Sequence, residues 1–313
     1  MNPSASPAGR LLAVQPEIQQ ALDAGHPVMA LESTLICHGL PWPRNLDTAR
    51  QLEAIVREQG VMPATIAILD GRLRVGLGSE QLERLARLGD KAIKCSRRDI
   101  AVVLQQHRAG ATTVAATMII AAMAGIRIFA TGGIGGVHRG AAQTLDISAD
   151  LPELARTPMA VVCSGPKAIL DLPLTAQYLE THGVPVIGYQ TDELPSFYSR
   201  TSGLPVDHRL DTPAEVAEFL HLKWSLGLGG GVLLANPVPE EHAIEPEIVE
   251  KTVDLALREA ERQGVSGRVL TPFLLARMER LTGGDSLKTN IALVLSNARV
   301  GARMATAYHS ASD

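Results

Sequence analysis

Short runs of apolar and β-branched residues alternate along this chain with longer amphipathic segments. The alternation is typical of α/β proteins, because parallel strands are joined by helices that pack on the sheet. We therefore predict an α/β fold with a central mixed sheet. The predicted strands are Val28–Leu31, Thr65–Leu69, Ile126–Ala130, Ala160–Cys163, Val184–Gly188 and Gly231–Ala235.

Helical spacing is clearest in three segments. Asn45 is predicted to cap a helix that ends at Gly60, and Pro246 is predicted to open another that runs to about Gly264. Spacing from Thr271 to Tyr308 predicts a helical C-terminal region, broken near Gly283 and Gly284. The apolar stripe of the first helix is Leu46, Ala49, Leu52, Ile55 and Val56.

The chain has 313 residues, and no linker, charge run or repeat divides it. We predict one α/β domain over residues 11–305, a disordered tail at 1–10 and a C-terminal tail at 306–313. The longest nearly apolar stretch runs from Val114 to Ile126, which is shorter than the roughly 20 residues that span a bilayer. No signal peptide pattern is present at the start. No membrane segment is expected.

Composition excludes several classes of protein. Lys and Arg total 29 and Asp and Glu 33, which gives a net charge of −4 and no basic surface for nucleic acid. Aromatic residues make up only 3% of the chain, which removes stacking platforms for single strands. Cys37, Cys95 and Cys163 lie far apart, so neither a zinc site nor a disulfide framework is expected. A reducing, cytoplasmic location fits this cysteine usage best.

Polar residues follow several predicted strands, where function usually lies in such folds. Glu32 directly follows an apolar strand, so partial desolvation would raise its pKa and suit it to act as a general acid. The alternative is that 32–34 is a helix-capping cluster. The cations of 94–98 precede a helix predicted near Asp99 and favour a phosphate site. A solvated surface turn is the alternative there.

Two further loops also contain polar residues that could bind a ligand. Residues 131–140 include five glycines with His138 and Arg139, which fits either a phosphate cradle or a flexible turn. Asp146, Ser148 and Asp150 place oxygen atoms at alternate positions, as hard cations prefer. For Asp150 a helix cap is the alternative interpretation. No nucleotide-binding glycine motif is present.

Lys167 follows the strand Ala160–Cys163 through Ser164, Gly165 and Pro166. Pro166 predicts a short helix that opens near Lys167. The helix dipole and apolar neighbours would disfavour the ammonium form, from a reference pKa of about 10.4. A neutral amine there would attack a carbonyl carbon. The alternative is a salt-bridged surface lysine.

Seven segments together resemble one family over residues 15–305. They are 30–34 with 38–41, 94–99, 112–118, 129–139, 146–151, 164–171 and 289–293. The chain is similar at these positions to the pseudouridine-5′-phosphate glycosidase family, which also contains the indigoidine-synthesis A proteins. The resemblance implies a three-layer α/β/α fold, a homotrimer and an enzyme of the carbon–oxygen lyase class.

The resemblance further implies reversible conversion of pseudouridine 5′-phosphate and water to uracil and ribose 5-phosphate. The reaction would break a C–C bond through a lysine imine and a ring-opened sugar. Lys167 would be the nucleophile and Glu32 the proton donor, with Mn²⁺ bound at Asp146 in each subunit. The other implied site residues are Lys94, Val114, Ser148 and Asp150 on the substrate, Asn290 on the uracil, and Thr131 and His138 around the phosphate or metal waters.

Two other functions remain as alternatives. Residues 281–286 faintly resemble the glycine–aspartate anion hole of ribokinase-like sugar or nucleoside kinases, in which the Asp acts as base. That function would leave Lys167 and Glu32 without a role, and ATP-dependent phosphate transfer would reveal it. A non-catalytic sugar-phosphate-binding regulator would instead bind ligand without turnover.

Overall fold

A large mixed sheet forms the centre of the computed structural model, which describes residues 7–265 and 267–311. Residues 1–6 and 312–313, which belong to the two predicted tails, lie outside the described range. The strands are β1 Leu12–Val14, β2 Val28–Leu31, β3 Met62–Leu69, β4 Arg72–Val75, β5 Ile93–Cys95, β6 Gly110–Thr112, β7 Ile128–Ala130, β8 Val137–His138, β9 Ala160–Cys163, β10 Leu170–Asp171, β11 Val186–Tyr189, β12 His208–Leu210 and β13 Val232–Ala235.

The main sheet has the order β1-β4-β3-β2-β7-β9-β13-β11-β12, with β6 beside β3 and β5 beside β6. The pairs are parallel except for β3 with β4 and β3 with β6. The predicted mixed sheet is therefore confirmed. Strands β8 and β10 form a separate antiparallel pair.

Helices cover both faces of the sheet. They are α1 Pro7–Leu11, α2 Pro16–Asp23, α3 Arg44–Glu58, α4 Ser79–Leu88, α5 Ile100–Gln105, α6 Val114–Met123, α7 Ala141–Thr144, α8 Asp150–Leu154, α9 Leu172–Thr181, α10 Pro213–Ser225, α11 Pro246–Arg262, α12 Leu270–Leu281 and α13 Asp285–Ser310. A π-helix spans Leu35–Gly39.

Alternate strand residues point into two separate cores. In β2, Met29 and Leu31 pack with α3 and with α10 to α13, whereas Val28 and Ala30 pack with α2, α5, α6, α8 and α9. A buried strand therefore needs apolar residues at every position, which is why β2 is a continuous apolar run. The result is a helix layer on each side of the sheet.

Most predicted elements are found in the structure. The six predicted strands fall within or overlap β2, β3, β7, β9, β11 and β13, and the helical C-terminal region is confirmed. The last helix continues to Ser310, past the domain end predicted at 305. The unpredicted strands span only two to four residues each, too few for an alternating pattern to be recognised.

The predicted capping role of Asn45 is wrong. Helix α3 begins at Arg44, and the Asn45 side chain lies buried inside its first turn. Its Nδ2 donates to the carbonyls of Ile36 and Ala86 at 2.8 and 3.0 Å. The amide therefore ties α3 to the π-helix and α4, an interaction between distant segments that local sequence does not indicate.

No helix in the described ranges is long and apolar enough to span a membrane. The three cysteines are free and buried. Burial raises the pKa of each thiol to about 12, which leaves these groups unsuited to act as nucleophiles near neutral pH.

Candidate functional site

A cavity of about 460 Å³ lies at the carboxyl ends of β2, β7 and β9, which are neighbours in the sheet. Parallel neighbours end at the same edge, so the residues that follow them converge. The predicted site residues on its wall are Glu32, Lys94, Val114, His138, Asp146, Ser148, Asp150, Lys167 and Asn290. Thr131, the remaining one, lies against Glu32.

Glu32 follows β2, and the hydroxyl of Thr131, which follows β7, donates to its carboxyl. Burial raises the pKa of Glu32 above its ordinary 4.5, and the charge of Lys167 and the Thr131 hydrogen bond oppose that rise. The capping alternative is wrong, since Ser33 and Thr34 bond to Thr112 instead. Glu32 is therefore a buried carboxyl that retains its proton to higher pH, as a general acid must.

Lys167 lies in a loop, and the short helix predicted there is absent. Pro166 forms a parallel bridge to Ile134, and the chain then turns into β10. The Lys167 Nζ donates to the Gly133 carbonyl at 2.6 Å, which fixes the amine at the cavity wall. The surface-lysine alternative does not fit this placement, because the amine faces the same cavity as Glu32.

Lys94 lies in β5 and also faces the cavity. Burial lowers its pKa, as does the nearby charge of Lys167, and the carboxylates of Asp150 and Glu32 act in the opposite direction. Arg97 and Arg98, the other cations of the predicted cluster, line the same cavity. Arg97 pairs with the buried Glu153 at 2.6 Å, whereas the side chain of Arg98 is 72% exposed.

Asp150 is not a cap of its own helix. Its two carboxylate oxygens accept from the backbone N–H groups of Ala115 in α6 and Gly135 in the glycine loop, both at 2.9 Å. The carboxylate therefore stabilises the amino-terminal turn of α6 and fixes the glycine loop beside it. Two backbone donors that would suit a bound anion are thus already engaged.

Close packing explains two glycines of the 131–140 loop. A Cβ on Gly135 would lie 2.2 Å from the Ser148 hydroxyl, and one on Gly133 would lie 2.5 Å from the Phe197 ring. Backbone and side chains therefore leave no room for a larger residue at either position. The flexible-turn interpretation is wrong, because the loop is packed tightly along the cavity wall.

A buried amide network supports that loop from below. Asn297, in α13, has a fully buried side chain whose Nδ2 donates to the Thr131 carbonyl at 2.9 Å and to the Ser164 hydroxyl at 3.1 Å. Its Oδ1 accepts from Asn236 at 2.8 Å. The network joins the ends of β7, β9 and β13, and sequence reasoning missed it because an isolated Asn in a long helix has no local signature.

Sequence reasoning also assigned no role to His38, in the π-helix. The residue lies between the main cavity and a second one of about 280 Å³, and Asn290 borders both as well. Buried in the wall, the His38 Nε2 and the Asn290 Oδ1 have no hydrogen-bond partner in the described chain. π-Helices are frequent at functional sites, so this one would have drawn attention to His38. It was found only in the structure.

The predicted metal site at Asp146 offers few side chains that could bind a metal ion. Asp146 is a half-exposed carboxylate on the cavity wall, and its charge acts on the ring of His138. No group of three acidic, His or Cys side chains suited to a metal ion occurs among the residues that the structure describes. Asp146 with the neighbouring Ser148 hydroxyl fits a hard cation that keeps most of its water.

The kinase alternative finds no support at the cavity. Asp285, the proposed base, is the first residue of α13 and forms an exposed ion pair with Lys288 at 2.9 Å. Its side chain is 65% exposed, and it is not part of the cavity wall. An exposed, ion-paired carboxylate lacks the desolvated setting in which a general base works best.

Comparison with known proteins adds an independent line of evidence. The model of the indigoidine synthase A-like family matches residues 17–307. The chain is 57% identical to the pseudouridine-5′-phosphate glycosidase of Hahella chejuensis over 299 residues, which cover 96% of this chain and 99% of that protein. It is 55% identical to the protein of the same name from Escherichia coli K12, with 95% and 96% covered.

Two solved structures share the fold. The prealnumycin C-glycosynthase AlnA, in complex with ribulose 5-phosphate, is 42% identical with a TM-score of 0.90, covering 97% of this chain and 98% of that one. An indigoidine synthase A-like protein from Thermotoga maritima is 36% identical with a TM-score of 0.84, covering 90% and 93%.

We predict that Glu32→Gln makes the protein more stable than wild type at pH 8 and that the gain shrinks toward pH 5. The folded-state pKa of Glu32 lies above 4.5, so wild type loses stability as pH rises through the window between that value and the folded pKa. The free energy of unfolding in urea at both pH values measures the effect. Glu58→Gln, at an exposed position, is the control. A gain that does not depend on pH would contradict the raised pKa.

Proposed function

Because the chain belongs to the indigoidine synthase A-like family, we propose that it is a pseudouridine-5′-phosphate glycosidase. The reaction is the reversible conversion of pseudouridine 5′-phosphate and water to uracil and ribose 5-phosphate. The observation that best supports it is that the Lys167 amine and the buried Glu32 carboxyl line one cavity. The names of the similar glycosidases point to the same substrate.

The chemistry requires both groups because the bond to be broken joins two carbon atoms. An ordinary nucleoside expels its base with electrons on nitrogen, whereas this substrate would have to expel a carbanion. Two-carboxylate glycosidase chemistry provides no easy route for that. An amine covalently attached to C1′ does, since its lone pair can form a C=N bond as the C–C bond breaks.

In the proposed sequence Glu32 donates a proton to the sugar ring oxygen, the C1′–O4′ bond breaks, and the Lys167 amine bonds to C1′. The Lys167 nitrogen then loses a proton to the Glu32 carboxylate, which restores its lone pair. The uracil is protonated at C5, and the C1′–C5 bond breaks with its electron pair moving into the base. The nitrogen lone pair of Lys167 simultaneously forms an iminium with C1′. Water hydrolyses this iminium, which frees ribose 5-phosphate and restores the amine.

A ring-opened sugar also agrees with the ligand bound by a similar protein. The C-glycosynthase is described in complex with ribulose 5-phosphate, a pentose phosphate that cannot close to a furanose because its 5-oxygen is phosphorylated. A cavity that accepts an acyclic pentose phosphate is consistent with the linear intermediate proposed here. Lys94 is proposed to bind the phosphate, and Val114, Ser148 and Asp150 are proposed to contact the substrate.

The remaining predicted residues complete the proposal. Asn290 is proposed to contact the uracil, Thr131 to hold Glu32, and His138 to lie near the phosphate or metal waters. Asp146 would hold Mn²⁺, which would supply positive charge and ordered water beside the phosphate. The homotrimer implied by the family resemblance and the cytoplasmic location both stay predictions.

Replacing Lys167 tests the proposed function directly. We expect wild type with Mn²⁺ to release uracil from pseudouridine 5′-phosphate and Lys167→Ala to lose this activity while staying folded. Borohydride added during turnover reduces the iminium, so a ribose-phosphate adduct should be found on Lys167 by peptide mass spectrometry. Lys288→Ala, at an exposed lysine, is the control. An adduct on another lysine, or activity in Lys167→Ala, would refute the imine mechanism.

Lys94→Met tests the phosphate contact. Losing a charge-assisted hydrogen bond, worth about 1.5–3 kcal/mol, should lower kcat/KM on pseudouridine 5′-phosphate roughly tenfold to hundredfold. The reaction of unphosphorylated pseudouridine should change little. Lys91→Met, at the nearby exposed lysine, serves as control. Equal losses on both substrates would instead place Lys94 at the sugar or the base.

Asp146→Asn tests the metal site. A hard cation depends on carboxylate charge, so Mn²⁺ affinity measured by electron paramagnetic resonance titration should fall at least about tenfold. Asp90→Asn, at a carboxylate beside the second cavity, should retain wild-type affinity. If Asp146→Asn binds Mn²⁺ as wild type does, the ion lies elsewhere.

A further inference from the structure

Two buried hydrogen-bond acceptors without partners lie at the boundary between the two cavities. They are the Nε2 of His38 and the Oδ1 of Asn290. The residues common to both cavity walls are His38, Gly39, Pro272, Leu275 and Asn290. This shared wall is therefore apolar apart from two side chains, each of which has an unused acceptor. Such acceptors are rare in folded proteins, and a ligand that supplies donors is one physical reason to keep them.

His38 acts as an acceptor because of its protonation state. Burial and the charge of Lys94 lower its pKa, against the charge of Asp90 and a backbone hydrogen bond with Ala92. Since Nε2 has no partner, the nitrogen engaged with Ala92 is Nδ1, which therefore holds the proton of the neutral ring. Nε2 is left with a lone pair.

Given the proposed function, on which this inference depends, we propose that His38 Nε2 and Asn290 Oδ1 accept the two ring N–H groups of the uracil base, one each. In a nucleoside linked through C5, both N1 and N3 carry hydrogen. Uridine 5′-phosphate carries hydrogen on N3 alone, because its N1 is bonded to the sugar. The pair would thus help to distinguish the C-nucleoside from the common N-nucleoside, through whichever of the two side chains accepts the N1–H group.

The ligand chemistry favours the base over the other parts of the substrate. A phosphate dianion has no hydrogen to donate, so it would leave both acceptors unpaired. Pro272 and Leu275 provide apolar surface on the same wall, which suits a flat ring better than a polyhydroxy chain. Sugar hydroxyls can donate as well, so the test must separate them from the ring N–H groups.

The test compares pseudouridine 5′-phosphate with its N1-methyl and N3-methyl derivatives. His38→Asn keeps an amide donor toward Ala92 and removes the Nε2 acceptor, whereas His38→Gln offers an oxygen near the Nε2 position. We expect His38→Asn to lower kcat/KM on the unmethylated substrate about tenfold or more, with partial recovery in His38→Gln. On one of the two methylated substrates His38→Asn should cost little, since that N–H is already gone.

His182→Asn, at an exposed histidine that stacks on Tyr178, is the matched control and should behave as wild type on all three substrates. Equal losses in His38→Asn on all three would overturn the inference and assign His38 to a sugar hydroxyl or to packing. No loss on any would overturn it too. If wild type releases no uracil from pseudouridine 5′-phosphate, the proposed function fails, and the inference fails with it. That outcome is distinguishable from the others, because it is seen in wild type and not only in the His38 variants.

Discussion

The parallel pairing of β2, β7 and β9 is the constraint on which the site depends. Because these neighbours end at one edge, Glu32, Thr131 and the loop to Lys167 meet, although they are distant in sequence. Hydrogen bonds of the sheet ladder fix the three ends relative to one another, and the Asn297 network joins the ends of β7 and β9 again from the α13 side. The chain positions from which Glu32, Thr131 and Lys167 extend are thus set by the backbone geometry of the sheet.

Burial in the cavity shifts the pKa values of the ionisable side chains that line it. The same burial raises the pKa of Glu32 and lowers that of Lys94, so both move toward neutrality. The pKa of Glu32 and the pKa of Lys94 both also depend on the charge of Lys167. The protonation states around the cavity are therefore linked. A dianionic phosphate would add charge to this set on binding and would favour the ammonium form of Lys94.

Those parts of the fold and site that have a local signature could be predicted. Glu32 directly follows a buried apolar strand, and the helices that begin at Pro246 and resume at Asp285 have both periodicity and end signals. The helix expected at Lys167 was not found, because pairing with distant Ile134 overrides the preference of Pro166 for a first turn. Roles that need tertiary contacts, such as that of Asn45, had no signal in the local sequence.

Helix α13 contributes both Asn290, on the cavity wall, and Asn297, in the buried network. They are seven residues apart, close to two full turns, and so project from nearly the same face. Rotating or sliding the helix to re-aim one amide would pull the other from its partners. Divergence toward other bases in this family is therefore expected to proceed by replacing the residue at 290 itself, while the helix that presents it stays in register.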